Sequence, residues 1–380
     1  MNIKKHLRRP QRGMSLIEIL VGVLIGMIAI IVIFQVLAVY EDRKRTATGA
    51  GDAQSTGAIA LYMLDRDVRM GGYGFGNADA MGCVVKAFDV KTGTGVDFTL
   101  APVVISKPNG AEGPDSIVSL YGNSMLFAAR KAFTSSTDTT KVMQSGNRPG
   151  FLRGDLAVVT TTPAPATCAL IEVTDNTDID TVTLGHAEDG TYTSDYSATA
   201  ATVRYNKIGG PGVSFTQGFA YNLGPSPTRT VWSINSNRLS FTDSLHSDSG
   251  AIQVADGVVN MKAEYGIDAN NNNQLEQNEW TTADPITPAG WQALRAVRVA
   301  LLLRSGQWDR SVCSTNPQWT SGTSGTPTLT NFVMRNVDGS NDAFVDCDGV
   351  AADPNNWRTY RYRVYETVIP LRNMIWGTAP

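Results

Sequence analysis

Histidine is scarce in this 380-residue sequence, which contains three. Two of them, His186 and His246, lie well beyond the N-terminal apolar segment, and neither belongs to a nucleophile or metalloprotease motif. The sequence also lacks the G-x-S-x-G and P-loop patterns. We therefore predict two exposed loop histidines, no catalytic residue and no enzyme. An enzyme built on two carboxylates stays open as an alternative, because the fold, not the spacing, sets the distance between such groups.

Basic residues are too few to indicate nucleic-acid binding. The chain has 32 Lys and Arg against 35 Asp and Glu, a formal net charge of −3. Removing the five basic residues that precede Gly13 leaves 27 against 35, so the remainder carries a net charge near −8. These five are Lys4, Lys5, Arg8, Arg9 and Arg12. We expect no nucleic-acid partner, whereas a hydrophobic content of 42% is ample for a large core.

Ionisable and hydrogen-bonding side chains are absent from residues 19–34, and the apolar character resumes after Gln35 as far as Val39. This length suits a helix that crosses a bilayer. The basic residues before Gly13 favour an N-terminus in the cytoplasm and export of the chain beyond the apolar segment. A cleaved secretory signal would be shorter and would end in small residues, whereas the charged segment 40–45 comes next here.

The residues Gly13-Met14-Ser15-Leu16-Ile17-Glu18 place one carboxylate at the start of this apolar run. Together with the basic leader, they resemble the type IV prepilin signal. The resemblance implies that a prepilin peptidase removes residues 1–13 by cutting after Gly13 and that Met14 becomes the N-methylated terminus, although the usual residue there is Phe. It also implies that Glu18 attracts the terminal amine of a neighbouring subunit. A simpler interpretation is that Glu18 only complements the dipole at a helix N-terminus.

The helix is predicted to continue far beyond the membrane, because no proline occurs between Pro10 and Pro102. Small or apolar residues recur in steps of three and four up to Val68, and Gly71 and Gly72 supply a stop. We expect one helix from about residue 14 to about residue 70. Its transmembrane and assembly half is 14–40, and its outer half is 41–72.

Residues 73–380 change to short β-type runs separated by Gly, Pro, Asn, Asp and Ser. The fold class is therefore predicted as α+β: a long N-terminal membrane-spanning helix and a large, mainly antiparallel sheet head, with two lobes as an open alternative. The predicted strands are 116–121, 155–161, 181–184, 201–205, 231–234, 238–241, 258–265, 296–304 and 360–373. Long loops are expected at 134–147, 185–197 and 311–356.

Three further segments, 64–69, 293–305 and 365–373, are similar to those of PilW-type minor pilins. This resemblance implies a minor pilin that starts type IV pilus assembly, meets other minor pilins and the major pilin near the tip, and presents an adhesin in support of adhesion and motility. It also implies a single-pass protein of the inner membrane, with its head in the periplasm, that later joins the fibre at the cell surface. The alternatives are a type II secretion pseudopilin and a membrane-tethered periplasmic enzyme.

Four cysteines are present, and no two form a C-x-x-C pair. Few histidines accompany them, so zinc and redox sites are disfavoured, and disulfides are expected in an exported head. Three pairings are allowed. We favour Cys313 with Cys347, which would close a Gly/Ser/Thr-rich loop, and Cys83 with Cys168 by elimination.

One loop, 268–279, carries the spacing of a calcium loop. Oxygen ligands stand at its first, third, fifth and twelfth places as Asp268, Asn270, Asn272 and Glu279. The backbone carbonyl of Gln274 fills the seventh place. Asn273 replaces the usual sixth-place glycine, and Asn tolerates positive φ. The sequence therefore predicts weak Ca²⁺ binding, with an ion-free asparagine turn as the alternative; no other cofactor is expected.

Overall fold

The computed structural model describes residues 13–76, 78–126, 130–144, 150–161, 168–175, 183–197, 199–207, 215–246, 250–309, 312–322, 327–340 and 353–376. The chain divides into two compact units, Met1–Asp52 and Ala53–Pro380. The second unit contains the sheets and the hydrophobic core.

The first element, α1 (Leu16–Val68), is a single helix of 53 residues. Its length follows from the absence of proline, and it stops before Gly72, which adopts a φ of +86° that L-residues rarely take. Within the second unit its buried side chains are Ala60, Leu64 and Val68, spaced by four residues, so one face of the helix enters the core.

Gly57 allows a close approach within this unit, because a Cβ there would stand 2.5 Å from the ring of Tyr365. A larger residue at this position would therefore force that ring to move.

Strands form most of the second unit. The first are β1 (Val84–Lys86), β2 (Phe88–Asp89), β3 (Thr94–Gly95), β4 (Phe98–Thr99), β5 (Val103–Ser106) and β6 (Ser116–Tyr121). The next are β7 (Lys131–Ser136), β8 (Thr140–Met143), β9 (Leu156–Thr161), β10 (Cys168–Glu172), β11 (Thr183–Gly185), β12 (Thr191–Thr193), β13 (Ala200–Thr202) and β14 (Gly218–Gly224).

The last part of the chain contains β15 (Thr228–Asn235), β16 (Arg238–Asp243), β17 (Ile252–Asp256), β18 (Val258–Ile267), β19 (Trp280–Thr281), β20 (Leu294–Arg304), β21 (Gln318–Ser321), β22 (Thr328–Asn331) and β23 (Tyr362–Pro370). Short helical turns are α2 (Pro288–Gln292), α3 (Arg372–Trp376) and the 3-10 turns Gln277–Glu279 and Trp357–Thr359.

Three large sheets contain most of these strands, and the remaining strands form the two-stranded sheets β2-β3, β12-β13 and β21-β22. An eight-stranded sheet has the order β11-β8-β7-β14-β9-β10-β1-β4, a five-stranded sheet β17-β16-β15-β6-β5, and a four-stranded sheet β19-β18-β20-β23. The pair β1 and β10 is parallel, and the other pairs in these sheets are antiparallel within the described residues. The predicted α+β fold, with its long N-terminal helix and largely antiparallel head, is confirmed.

The hydrophobic core has one large cluster and two smaller ones. The large cluster joins the buried face of α1 to side chains of all three sheets. In the eight-stranded sheet, Val158 and Leu170 face this cluster, whereas Val159 and Ile171 face a second one, so strands β9 and β10 are covered on both faces. A third cluster, which includes Leu302 and Trp319, covers the other face of the four-stranded sheet.

The predicted long loops were wrong in part, because each contains strands. Segment 134–147 includes the second half of β7 and all of β8, 185–197 includes β12, and 311–356 includes β21 and β22. These strands are rich in Thr, Ser, Lys or Gln and short in apolar alternation, so pairing with a neighbour decides their structure more than their own pattern does.

The prediction for His186 was also wrong, since its side chain is 2% exposed and its Nε2 lies 2.7 Å from Nζ of the buried Lys141. Burial, and then the positive charge of Lys141, lower the pKa of His186 to about 3. His246 is half-buried and pairs with Asp243 at 2.8 Å, so it is not a free loop residue either.

Candidate processing and assembly site

The predicted processing residues are exposed to solvent at the start of α1. A Cβ built on Gly13 would meet nothing within 4 Å, and Met14 is 73% exposed. The carbonyl of Ser15 accepts hydrogen bonds from the amides of Glu18 (3.0 Å) and Ile19 (3.2 Å) and so begins the helix. The bond after Gly13 therefore lies in an unobstructed stretch immediately before a helix.

Glu18 lies in the first turn of this helix, and its Oε2 is 3.4 Å from the amide of Ser15. A carboxylate at this place complements the positive end of the helix dipole. The contact is long and exposed, so it leaves most of the carboxylate's hydrogen-bonding capacity open. Glu18 can thus cap its own helix and still receive a cation from outside the chain.

The apolar segment Leu16–Glu41 is long and hydrophobic enough to cross a membrane, and its most apolar 18 residues have a mean hydropathy of 3.0, with none of them buried within the chain. Gly22 and Gly26 meet nothing within 4 Å, so they leave an open notch of the G-x-x-x-G type. Such an uncovered apolar helix requires lipid or other apolar helices around it.

At the other end of α1, Asp67 fixes the helix to the five-stranded sheet. Its Oδ2 accepts hydrogen bonds from Nε1 of Trp232 (2.6 Å) and the hydroxyl of Ser119 (2.7 Å). Its Oδ1 accepts from the hydroxyls of Tyr121 (2.8 Å) and Thr230 (3.3 Å). Burial, and then the negative charge of Asp67, raise the pKa of Tyr121 above its ordinary value.

Sequence reasoning missed the role of Asp67, because two acidic residues, Asp65 and Asp67, lie between Leu64 and Val68 and no local pattern distinguishes them. Its neighbour Asp65 makes an ordinary i,i+4 ion pair with Arg69 at 2.6 Å. Segment 64–69 therefore contains one carboxylate that docks the helix and one at the surface.

The C-terminal part of the chain completes the end of α1. The side-chain amide of Asn373 donates to the carbonyls of Met70 (2.9 Å) and Gly71 (3.3 Å). Met70 and Gly71 belong to the turn that follows Val68, the last residue of α1. Asn373 therefore fixes this turn from a position 303 residues away from Met70.

Two known protein families match this chain, one near each end. Residues 8–34 match the prokaryotic N-terminal methylation motif, and residues 234–373 match the family of type IV pilus-assembly protein W. The predicted resemblance to PilW-type pilins is confirmed. No curated protein and no solved structure matches this chain.

The region that matches the PilW family has a clear structural counterpart. It runs from the end of β15 to α3 and contains the whole four-stranded sheet. Two segments singled out from the sequence, 293–305 and 365–373, contain all of β20 and part of β23. These strands pair from Ala296 with Pro370 to Arg304 with Tyr362. Residues 35–233, which include most of α1 and the whole eight-stranded sheet, are outside both matches.

The predicted bond between Cys83 and Cys168 is confirmed, with a Cα–Cα distance of 6.2 Å. It lies beside the parallel pair β1 and β10, in which Val85 is opposite Cys168. Cys313 is also disulfide-bonded. Its predicted partner, Cys347, lies outside the described residues.

The predicted calcium ligands are brought to one end of the four-stranded sheet. Asp268 follows β18 directly, and Glu279 directly precedes β19. Within the described residues, no group of three or more His, Cys, Asp or Glu side chains has the arrangement of a metal site, so carboxylates and imidazoles alone do not define one.

Proposed function

We propose that this PilW-type pilin is a minor pilin that primes assembly of the type IV pilus and belongs to a minor-pilin complex near its tip. The observation that carries the proposal is the uncovered apolar helix with one carboxylate, Glu18, at its start, directly after an accessible glycine. The PilW match in the head supports a pilus-assembly role. The proposal gives the head a structural, non-enzymatic function.

The mechanism follows from charge and dielectric. After cleavage behind Gly13, the new terminus of each subunit carries an amine beside an apolar helix. In the low-dielectric interior of a membrane or fibre, an unpaired Glu18 carboxylate is costly, and attraction to a neighbour's amine is much stronger than in water. Cleavage is thereby coupled to joining the fibre, because an uncleaved chain has no such amine near its helix.

The partners we propose are the major pilin, other minor pilins, the prepilin peptidase and a pilus-tip adhesin. The location we propose is the inner membrane, with the head in the periplasm, before the subunit enters the fibre at the cell surface. The nearest rival, a type II secretion pseudopilin, would use the same N-terminal segment in a different machine. A membrane-tethered enzyme would need the head but not incorporation into a fibre.

Replacement of Glu18 by Ala tests the mechanism. We expect normal membrane insertion and cleavage, but loss of the protein from sheared pili, because the carboxylate acts on a neighbouring subunit. Glu41→Ala is the matched control, since Glu41 is an exposed acidic residue of the same helix at the far end of the span. Recovery of the Glu18→Ala protein in pili at the wild-type level would show that the carboxylate is only a helix cap.

A deletion strain separates the proposed machine from its rival. We expect loss or strong reduction of surface pili with normal release of secreted enzymes, and gold-labelled antibody to the head should label fibre ends. Normal piliation together with a secretion defect would favour the pseudopilin, and label along the whole fibre would contradict the tip location.

A further inference from the structure

The loop of residues 268–279 is closed at its base by strand pairing. Asp268 follows the last residue of β18, and Glu279 precedes the first residue of β19. These two strands pair antiparallel, with Gly266 opposite Trp280 and Tyr265 opposite Thr281. The first and twelfth residues of the loop are therefore held at the same end of one strand pair, and the loop ends in the 3-10 turn Gln277–Glu279.

Backbone amides inside the loop direct its side-chain oxygens inward. The carboxylate of Asp268 accepts hydrogen bonds from the amides of Asn272 and Asn273, both at 3.0 Å. Asn273 has a φ of +60°, as the sixth place of a calcium loop requires. The Oε1 of Glu279 accepts from the amide of Ala269 at 3.0 Å, which brings the last carboxylate back to the first residues.

Charge within the loop is unbalanced. Asp268 is fully buried and Glu279 is 7% exposed, yet in the part of the chain that the structure describes the ion pair of Asp268 is with Arg295, and Glu279 has none. The Arg295 Nε is 3.6 Å from Asp268 Oδ2, beyond hydrogen-bonding distance. This Nε is buried, lacks a hydrogen-bond partner and belongs to a residue that is 9% exposed.

Buried polar groups ordinarily have hydrogen-bond partners. The Nε of Arg295 has none although it lies near the Asp268 carboxylate, so the side chains alone do not complete this polar cluster. The cluster contains two buried carboxylates against one guanidinium, so a cation would balance it better than the side chains alone do.

We propose that this loop binds one Ca²⁺ ion through the side-chain oxygens of Asp268, Asn270, Asn272 and Glu279 and the backbone carbonyl of Gln274. Calcium takes six to eight oxygen ligands in a flexible geometry, whereas magnesium demands a near-ideal octahedron and keeps most of its water. Only carboxylate, amide and carbonyl oxygens are offered here, which suits calcium.

The affinity is expected to be weak, in the range of about 10⁻⁴ to 10⁻³ M that is typical of extracellular modules. Two ligands are neutral amides, and Arg295 competes electrostatically for Asp268. Such a site fills at millimolar Ca²⁺ and stiffens the connection between β18 and β19. This inference does not depend on the pilus role proposed above.

Calorimetry on the full chain in detergent, stripped of metal with a chelator, tests the site. We expect one Ca²⁺ per chain and, in millimolar Ca²⁺, a rise of a few degrees in the melting temperature. Mg²⁺ at the same concentration should bind at least tenfold more weakly. No Ca²⁺ heat, or equal affinities for the two ions, would overturn the proposal.

Glu279→Gln is the principal variant, because glutamine keeps the shape and one acceptor oxygen for the amide of Ala269, while it removes the charge and the acceptor of the Glu276 amide. Asn272→Ala is a second variant at an exposed residue, and it keeps the test valid if the first variant does not fold. Both should lose at least tenfold in Ca²⁺ affinity. Asn278→Ala, at an exposed place that supplies no ligand, is the matched control and should bind as the wild type. If both ligand variants bind Ca²⁺ with wild-type affinity, the loop does not bind the ion and is an asparagine-rich turn.

Discussion

Removing the Asp67 carboxylate should loosen the end of α1 from the sheet. Asp67→Ala deletes the acceptor of four side-chain hydrogen bonds, whose donors are Trp232, Ser119, Tyr121 and Thr230. The indole N–H of Trp232 is only a donor, and this residue is 2% exposed, so the N–H cannot turn to water. The three hydroxyl groups can rotate toward other acceptors, so they lose less hydrogen-bond energy than the indole does.

The expected magnitude follows from these contacts. Leaving one buried donor unsatisfied costs about 1–3 kcal/mol, and each hydrogen bond to a charged group contributes about 1.5–3 kcal/mol. Release of the carboxylate from its own desolvation offsets part of the loss. We expect Asp67→Ala to lower the free energy of unfolding by about 3 kcal/mol, and Asp67→Asn by less, because Asn retains one acceptor oxygen.

Urea unfolding of the compact unit 53–380, followed by tryptophan fluorescence, measures this loss. Asp65→Ala is the control, since it lies two residues away and removes a partly exposed i,i+4 ion pair whose contribution is about 0.5 kcal/mol. The pKa of Tyr121 should also fall in Asp67→Ala, because a neighbouring negative charge is gone while burial remains. Equal stability of the two alanine variants, or an unchanged Tyr121 titration, would refute this account of Asp67.

Two more predictions concern N-terminal processing and the pH dependence of stability. Mass analysis of the membrane form should show a chain that starts at methylated Met14. A bulky residue in place of Gly13 should block the cut. A chain that still starts at Met1, or that is cut beyond Val39, would exclude prepilin processing. Between pH 6.5 and 3, the unfolded chain holds a proton on His186 that the folded chain lacks. The free energy of unfolding should therefore fall as pH falls, and His186 contributes up to about 1.4 kcal/mol per pH unit to this fall. Subtracting the slope of unfolding free energy against pH for His186→Gln from that of the wild type gives the contribution of His186. Identical slopes would contradict the low pKa of His186.

The features that were predictable from sequence depend on neighbours in the chain. The helix was predicted from the apolar run up to Val39, from small or apolar residues that recur in steps of three and four beyond it, and from the absence of proline. Its end was predicted from Gly71 and Gly72. Strand β20 was evident because its run of apolar residues is long enough to be buried on both faces. Strand β6 was placed at its observed bounds for a similar reason.

The features that were not predictable depend on distant pairing. The four partners of Asp67 lie between 52 and 165 positions away from it, and no local pattern announces them. His186 is buried because β11 pairs with β8, which carries Lys141. Strand β14 was missed because three of its seven residues are Gly or Asn, and pairing with β9 and β7 gives it structure.

The contacts of Asn373 have a consequence for biosynthesis. The strand that completes the four-stranded sheet, β23, and the side chain that contacts the turn after α1 are both synthesised about 300 residues after that turn. The head therefore cannot reach its final topology before β23 and Asn373 have been synthesised. A premature stop codon that removed β23 would leave β20 with an open edge, and we expect quality-control proteases to degrade such a product.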